Sequence, residues 1–216
     1  MTRRMIGLFG GTFDPIHLGH LHLAKKLLSQ LPLEAIQFIP CQQSPTRTPP
    51  IASAADRVAM IQLAIQNFPQ WLVNDIETHR APPSYTIETI KQLKAQSPDT
   101  LLSFILSTDA FSHFNQWREW QAILHYCHLV VVHRTDFLLQ KETWMTEFLA
   151  QHEIHHPEVL IQHRVGKIIF QDVDSLPIRA TEIRKKIAAG HYPTDQVPDV
   201  VIDYIRQHHL YQTKEV

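Results

Sequence analysis

Between residues 10 and 20 the chain reads GGTFDPIHLGH, with two histidines three residues apart behind a pair of glycines. Four of the six glycines, Gly7, Gly10, Gly11 and Gly19, fall between positions 7 and 19, so glycine is concentrated where backbone must bend or be approached closely. A helix beginning near Ile16 to Leu18 would present unpaired N–H groups and the positive end of its dipole there, which suits phosphate oxygens. His17 and His20 would share a face of its first turn and could both donate hydrogen bonds to one anion. The same spacing is compatible with a tight structural turn carrying two surface histidines. Zinc is a poorer fit, because His22 lies on a different side of the helix from His17 and no cysteine or carboxylate completes a set. The loop lacks the Gly-Lys-Ser/Thr of a Walker A motif and the GxGxxG spacing of a dinucleotide fold.

The elements that must position this loop alternate in type. Met5 to Phe9 is a short apolar run, and apolar residues from Leu18 to Leu31 recur at helical spacing. Ala35 to Ile39 reads as a second strand ending at Pro40, and Ala54 to Phe68 as a helix with Ser53 as its cap. Leu101 to Leu106 and His128 to Val132 are further strands, separated by a helical stretch through Trp117 to Leu124, and Lys167 to Phe170 is a weaker one. The predicted fold is therefore α/β: a doubly wound, mostly parallel open sheet with helices on both faces, one domain over 1–216, and ligands beyond the carboxyl ends of the strands. Cys41 to Pro50 and Arg80 to Pro83 read as loops, and the polar, histidine-rich 152–164 as an insertion or surface connection.

Composition narrows the function classes. A formal charge of −1 gives no general field for nucleic acid or an anionic membrane, so any anion site must be local. Two well-separated cysteines, Cys41 and Cys127, argue against a disulfide framework and fit a reducing cytoplasm. The first apolar run is broken by glycines and Asp14, which excludes a signal peptide or membrane span there. Oligomeric state is not encoded in any pattern we recognise.

GGTFDPIHLGH resembles the GGxFDPxHxGH signature of the HxGH nucleotidyltransferases, and residues 5 to 211 are similar to the bacterial nicotinate mononucleotide adenylyltransferases. The resemblance implies a Rossmann-like nucleotidyltransferase fold and an ATP site made by Gly10, Gly11, Thr12, Phe13, His17 and His20. It assigns Arg47, in SPTR where the family has PPHK or PPHR, to the triphosphate; the family's histidine is here Thr46. PPSYTIETI places Ser84, Tyr85 and Thr86 at the mononucleotide, together with Asp109, Trp117 as the stacking aromatic, and Arg134 as a phosphate contact. Ser107 stands where the family has the glycine of GxD. In PIRATEIRKKI, Thr181 and Arg184 match a late helix facing the triphosphate, whereas Arg179 replaces a serine.

The implied reaction is attack of the mononucleotide 5′-phosphate on the α-phosphorus of ATP, with Mg2+ brought by ATP and no protein metal ligand. His17, His20, Arg47, Thr181 and Arg184 would be its catalytic set. Nicotinamide mononucleotide or phosphopantetheine as acceptor, and a non-catalytic nucleotide-binding regulator, remain open as alternatives at this level.

Overall fold

The computed structural model describes residues 4–133, 139–140 and 142–212. In chain order the elements are β1 (Met5–Gly11), α1 (Leu18–Gln30), β2 (Ala35–Pro40), α2 (Ala54–Ile65), β3 (Trp71–Val73), α3 (Thr86–Gln96), β4 (Leu101–Ser107) and α4 (Thr108–Phe111). A 3-10 turn (Phe114–Gln116) leads to α5 (Trp120–Ile123), β5 (His128–His133), α6 (Thr143–His152), β6 (Glu153–Ile154), α7 (Val159–Gln162), β7 (Ile168–Asp172), α8 (Ala180–Ala188) and α9 (Asp199–Gln207). The strands form one sheet in the order β3-β2-β1-β4-β5-β7-β6. All six pairings are parallel.

Parallel strands buried on both faces carry apolar residues at most positions, and their alternation sorts them into two cores. Met5, Phe9, Leu101, Ile105, Val130 and Val132 face a cluster completed by α1, α2, α8 and α9. Ile6, Leu8, Leu102, Phe104, Leu129 and Val131 face the other, completed by α3 to α6. The order of strands reverses between β1 and β4, so the loops after these two flank the crevice in which an open α/β sheet binds ligands.

Two expectations are corrected. The helix predicted through Trp117 to Leu124 is broken: Trp117 is extended, and Glu119 takes a left-handed φ of 49° before the single turn of α5. The second helix ends at Ile65, and Phe68 lies in the turn after it, stacked on Trp71 at 4.0 Å. Residues 152–164 are largely exposed and contain the two-residue edge strand β6 and the single turn of α7. Among the described residues no helix is long and apolar enough to cross a membrane.

Candidate active site

The loop after β1 is held from behind by protein groups. Phe13 adopts a left-handed φ of 50°, which turns its buried ring back over Gly11; a Cβ there would meet the ring at 2.9 Å. A Cβ on Gly19 would lie 3.0 Å from Nδ1 of His17. Both glycines are thus required by side chains of the protein itself, and none of the four early glycines has a positive φ.

With Gly19 out of its way, the His17 imidazole stacks on His20, ring centroids 3.7 Å apart and planes at 22°. His17 is the residue preceding α1 and His20 lies in its first turn. Nδ1 of His20 accepts the His17 backbone N–H at 3.3 Å. A neutral imidazole nitrogen that accepts carries no proton, so Nε2 is the N–H of His20. Burial, then the neighbouring His17 and Arg47, hold the His20 pKa well below its ordinary 6.5. His20 is therefore held neutral, with its N–H on Nε2. The end of α1 is less open than its sequence implies, because Leu18 N–H is already donated to the Gln196 carbonyl at 2.8 Å.

Arg47, Thr181 and Arg184 come from two further segments, the loop after β2 and α8. Arg47 is exposed on the loop after β2, close enough to His20 to disfavour its protonation. Arg184 donates through Nη1 to the Asp14 carbonyl at 2.6 Å and through Nη2 to Thr181 Oγ at 3.4 Å. Ile178 Cβ would sit 3.6 Å from a Cβ on Gly19, which sets the start of α8 against the first turn of α1.

Ser84 joins the segment before α3 to the loop after β2: its hydroxyl accepts Gln42 N–H at 3.0 Å and its N–H reaches the Gln43 carbonyl at 2.8 Å. Tyr85 precedes α3, with the Arg118 guanidinium 4.8 Å above its ring, and Thr86 is the first residue of that helix. Asp109 lies in α4, directly beyond β4, where Ser107 precedes the helix. Trp117 is half-buried, edge-on to Phe104 at 6.0 Å and tilted against Phe114 at 5.4 Å. Arg134 lies outside the described residues. Of the departures from the family pattern, Thr46 is exposed and bonded to Ser44, and Arg179 is the exposed residue before α8.

Two residues that hold the site together were missed. Arg57 is 1% exposed and donates to four carbonyls: Thr12 at 2.8 Å, Cys41 at 2.7 Å, Gln42 at 3.3 Å and Ala52 at 3.4 Å. It locks the loop after β1 to the loop after β2. A visible signal exists: positions 57, 60, 61 and 64 form one stripe of α2, and an arginine among buried Met60, Ile61 and Ala64 must satisfy its donors inside. Asp14 is the second, a carboxylate between Phe13 and Pro15 that accepts the N–H groups of Ile51 at 2.8 Å and Ala52 at 3.1 Å.

The Cytidylyltransferase-like family matches residues 8–186. Among curated relatives, a protein of Coxiella burnetii named "Probable nicotinate-nucleotide adenylyltransferase" is 46% identical over 96% of this chain and 98% of its own length. One of the same name from Cellvibrio japonicus is 41% identical over 97% of this chain and 100% of its own. Among solved structures, the Plasmodium falciparum nicotinic acid mononucleotide adenylyltransferase complexed with NaAD superposes with a TM-score of 0.72 at 19% identity, covering 96% of this chain and 97% of that one. That likeness speaks for the fold, and the closer curated relatives extend it to the family. With the HxGH histidines stacked beyond β1 of this sheet, the chain belongs to the nicotinate-nucleotide adenylyltransferases of the Cytidylyltransferase-like family.

Proposed function

We propose that this protein transfers the adenylyl group of ATP to the 5′-phosphate of nicotinate mononucleotide, releasing pyrophosphate and forming nicotinate adenine dinucleotide. The observation that carries the reading is the His17–His20 stack, which presents a neutral N–H of fixed tautomer beyond β1. A phosphate oxygen is already a competent nucleophile at neutral pH, so no general base is required. Catalysis then rests on alignment and on donors aimed where charge develops. His20 Nε2–H would meet the α-phosphate as its charge grows, with Arg47, Thr181 and Arg184 on the departing β- and γ-phosphates. Ser84, Tyr85, Thr86, Asp109, Trp117 and Arg134 would hold the mononucleotide across the crevice.

The donor chemistry of the site fits a Mg2+ ion that enters on ATP. Arg47 and Arg184 are cations, His20 presents an N–H, and the Asp14 carboxylate is saturated by protein donors. The nucleotide phosphates would hold the ion, which supplies charge neutralisation on the leaving pyrophosphate. Two free cysteines fit action in the cytoplasm.

The test is incubation of the purified protein with Mg2+, ATP and either nicotinate or nicotinamide mononucleotide, following pyrophosphate and dinucleotide together. Preference for the nicotinate substrate is expected; no pyrophosphate from either overturns the reading. His20→Ala should lower kcat by about 100-fold while the KM for ATP changes little, as for a donor realised mainly in the transition state. An unchanged kcat would remove that role.

A further inference from the structure

The Asp14 carboxylate is 4% exposed; its hydrogen-bond donors come from two distant parts of the chain, and a cation approaches from a third. Ile51 and Ala52 give N–H groups from the segment before α2. Tyr211 gives its hydroxyl at 2.6 Å from beyond α9. Arg184 of α8 stands 3.8 Å from Oδ2 while it donates to the Asp14 carbonyl. A buried carboxylate must be satisfied by donors, and here the pattern joins the loop that precedes His17 to the helix that carries Arg184.

Tyr211 reaches this position through unfavourable backbone. It adopts a φ of 63°, and His209 two residues earlier adopts 51°, both left-handed and costly for residues with a Cβ. The turn drives the ring into the core beneath the loop, where it is 8% exposed. Packing alone would be served by phenylalanine. Among the described residues the hydroxyl bonds Asp14 alone, and burial together with that carboxylate pushes the Tyr211 pKa up, so the group stays a donor.

We propose that Tyr211 is a positioning residue for the ATP half of the reaction: by donating to Asp14 Oδ1 it keeps Arg184 from being drawn onto the carboxylate and away from the triphosphate side of α8. Removing the hydroxyl leaves Oδ1 of this buried carboxylate with the Ala52 N–H alone, and Arg184, 3.8 Å from the other carboxylate oxygen, is a cation placed to compensate it. The C-terminal segment thus acts on the nucleotide site through one hydrogen bond. The role rests on the adenylyl-transfer reading above, but its binding arm does not.

The experiment compares full-length wild type and Tyr211→Phe in three measurements: calorimetric binding of a non-hydrolysable ATP analogue, kinetics with both substrates varied, and thermal melting. We expect analogue affinity and kcat/KM for ATP to fall about tenfold, the scale of one charge-assisted hydrogen bond, with the KM for the mononucleotide unchanged. Asp14→Asn is combined with Tyr211→Phe in a second step; if the tyrosine acts through Asp14, the double variant loses no more than the weaker single one. Wild-type analogue affinity in Tyr211→Phe overturns the proposal, as does a loss shared equally by both substrates or full additivity in the cycle. Should Tyr211→Phe melt below the assay temperature, the role is structural and the proposal fails. Absence of turnover in the wild type strikes at the proposed function instead, and the analogue arm still decides the role of Tyr211.

Discussion

Gly19 shows how one missing methyl group can serve chemistry. It occupies the second position of α1, where alanine has the better helix propensity by about 0.5–1 kcal/mol in a helix interior. A Cβ at 3.0 Å from His17 Nδ1 would push that ring off His20. Gly19→Ala should therefore leave the melting temperature within a few degrees or raise it, while turnover falls by about tenfold or more through misplacement of His20. Paired melting and kinetic measurements check this; a variant with wild-type kcat removes the stack from the mechanism. Arg47 can be tested through its field. Its guanidinium is one of three causes lowering the His20 pKa, so Arg47→Ala should raise the His20 pKa towards 6.5, read by NMR titration of the imidazole. The direction follows from charge: removing a neighbouring cation makes a second cation easier to form. An unmoved titration would show that Arg47 does not sit near His20 in solution.

At the scale of elements, the site depends on loops that no regular hydrogen-bond ladder fixes, and Arg57 supplies the fixing. Four carbonyls would lose their donor in Arg57→Ala, at about 1–3 kcal/mol for each buried group left unsatisfied, partly relieved by water and relaxation. A net loss of about 3–5 kcal/mol is expected in denaturant unfolding, with ATP affinity reduced because Thr12 and Cys41 no longer share a support. A loss below 1 kcal/mol would show that the loops hold themselves. The loops and their chemistry were legible in very different degrees. GGTFDPIHLGH marked the site because its residue types are chemically unusual and adjacent in sequence. Arg57 and Asp14 are unusual only in where they are buried, and their partners lie 45 and 38 residues away, a relation that spacing along the chain does not carry. Trp117 was assigned to a helix because apolar periodicity continues through it, yet a left-handed Glu119 interrupts the backbone there without any glycine to announce it.

For the whole molecule, the legible part of the fold was the part that buries most. Five strands long enough to show an apolar run were read from sequence, whereas β3 with three residues and β6 with two are too short to have a pattern. Those two form the edges of the sheet, where fewer neighbours demand apolar side chains. The far end of the sheet from the active site carries its own polar bolt. His128, the first residue of β5, is fully buried, donates Nε2–H to the His163 carbonyl at 3.2 Å and accepts Lys167 N–H on Nδ1 at 3.1 Å, which ties β5 to the start of β7. Protonation would place a second donor against Lys167 N–H, and burial lowers the His128 pKa to about 4. An unfolded chain takes up this proton near 6.5, so between 6.5 and about 4 the unfolded state binds more protons and stability rises with pH. Acidification through that window should cost up to about 3 kcal/mol from this histidine, and nothing from it above 7. Denaturant unfolding across pH 4 to 8 checks this: His128→Gln should start less stable at neutral pH and show a shallower decline on acidification. If both proteins lose stability in parallel over the window, the acid sensitivity belongs to other groups and the β5–β7 junction does not titrate as its geometry requires.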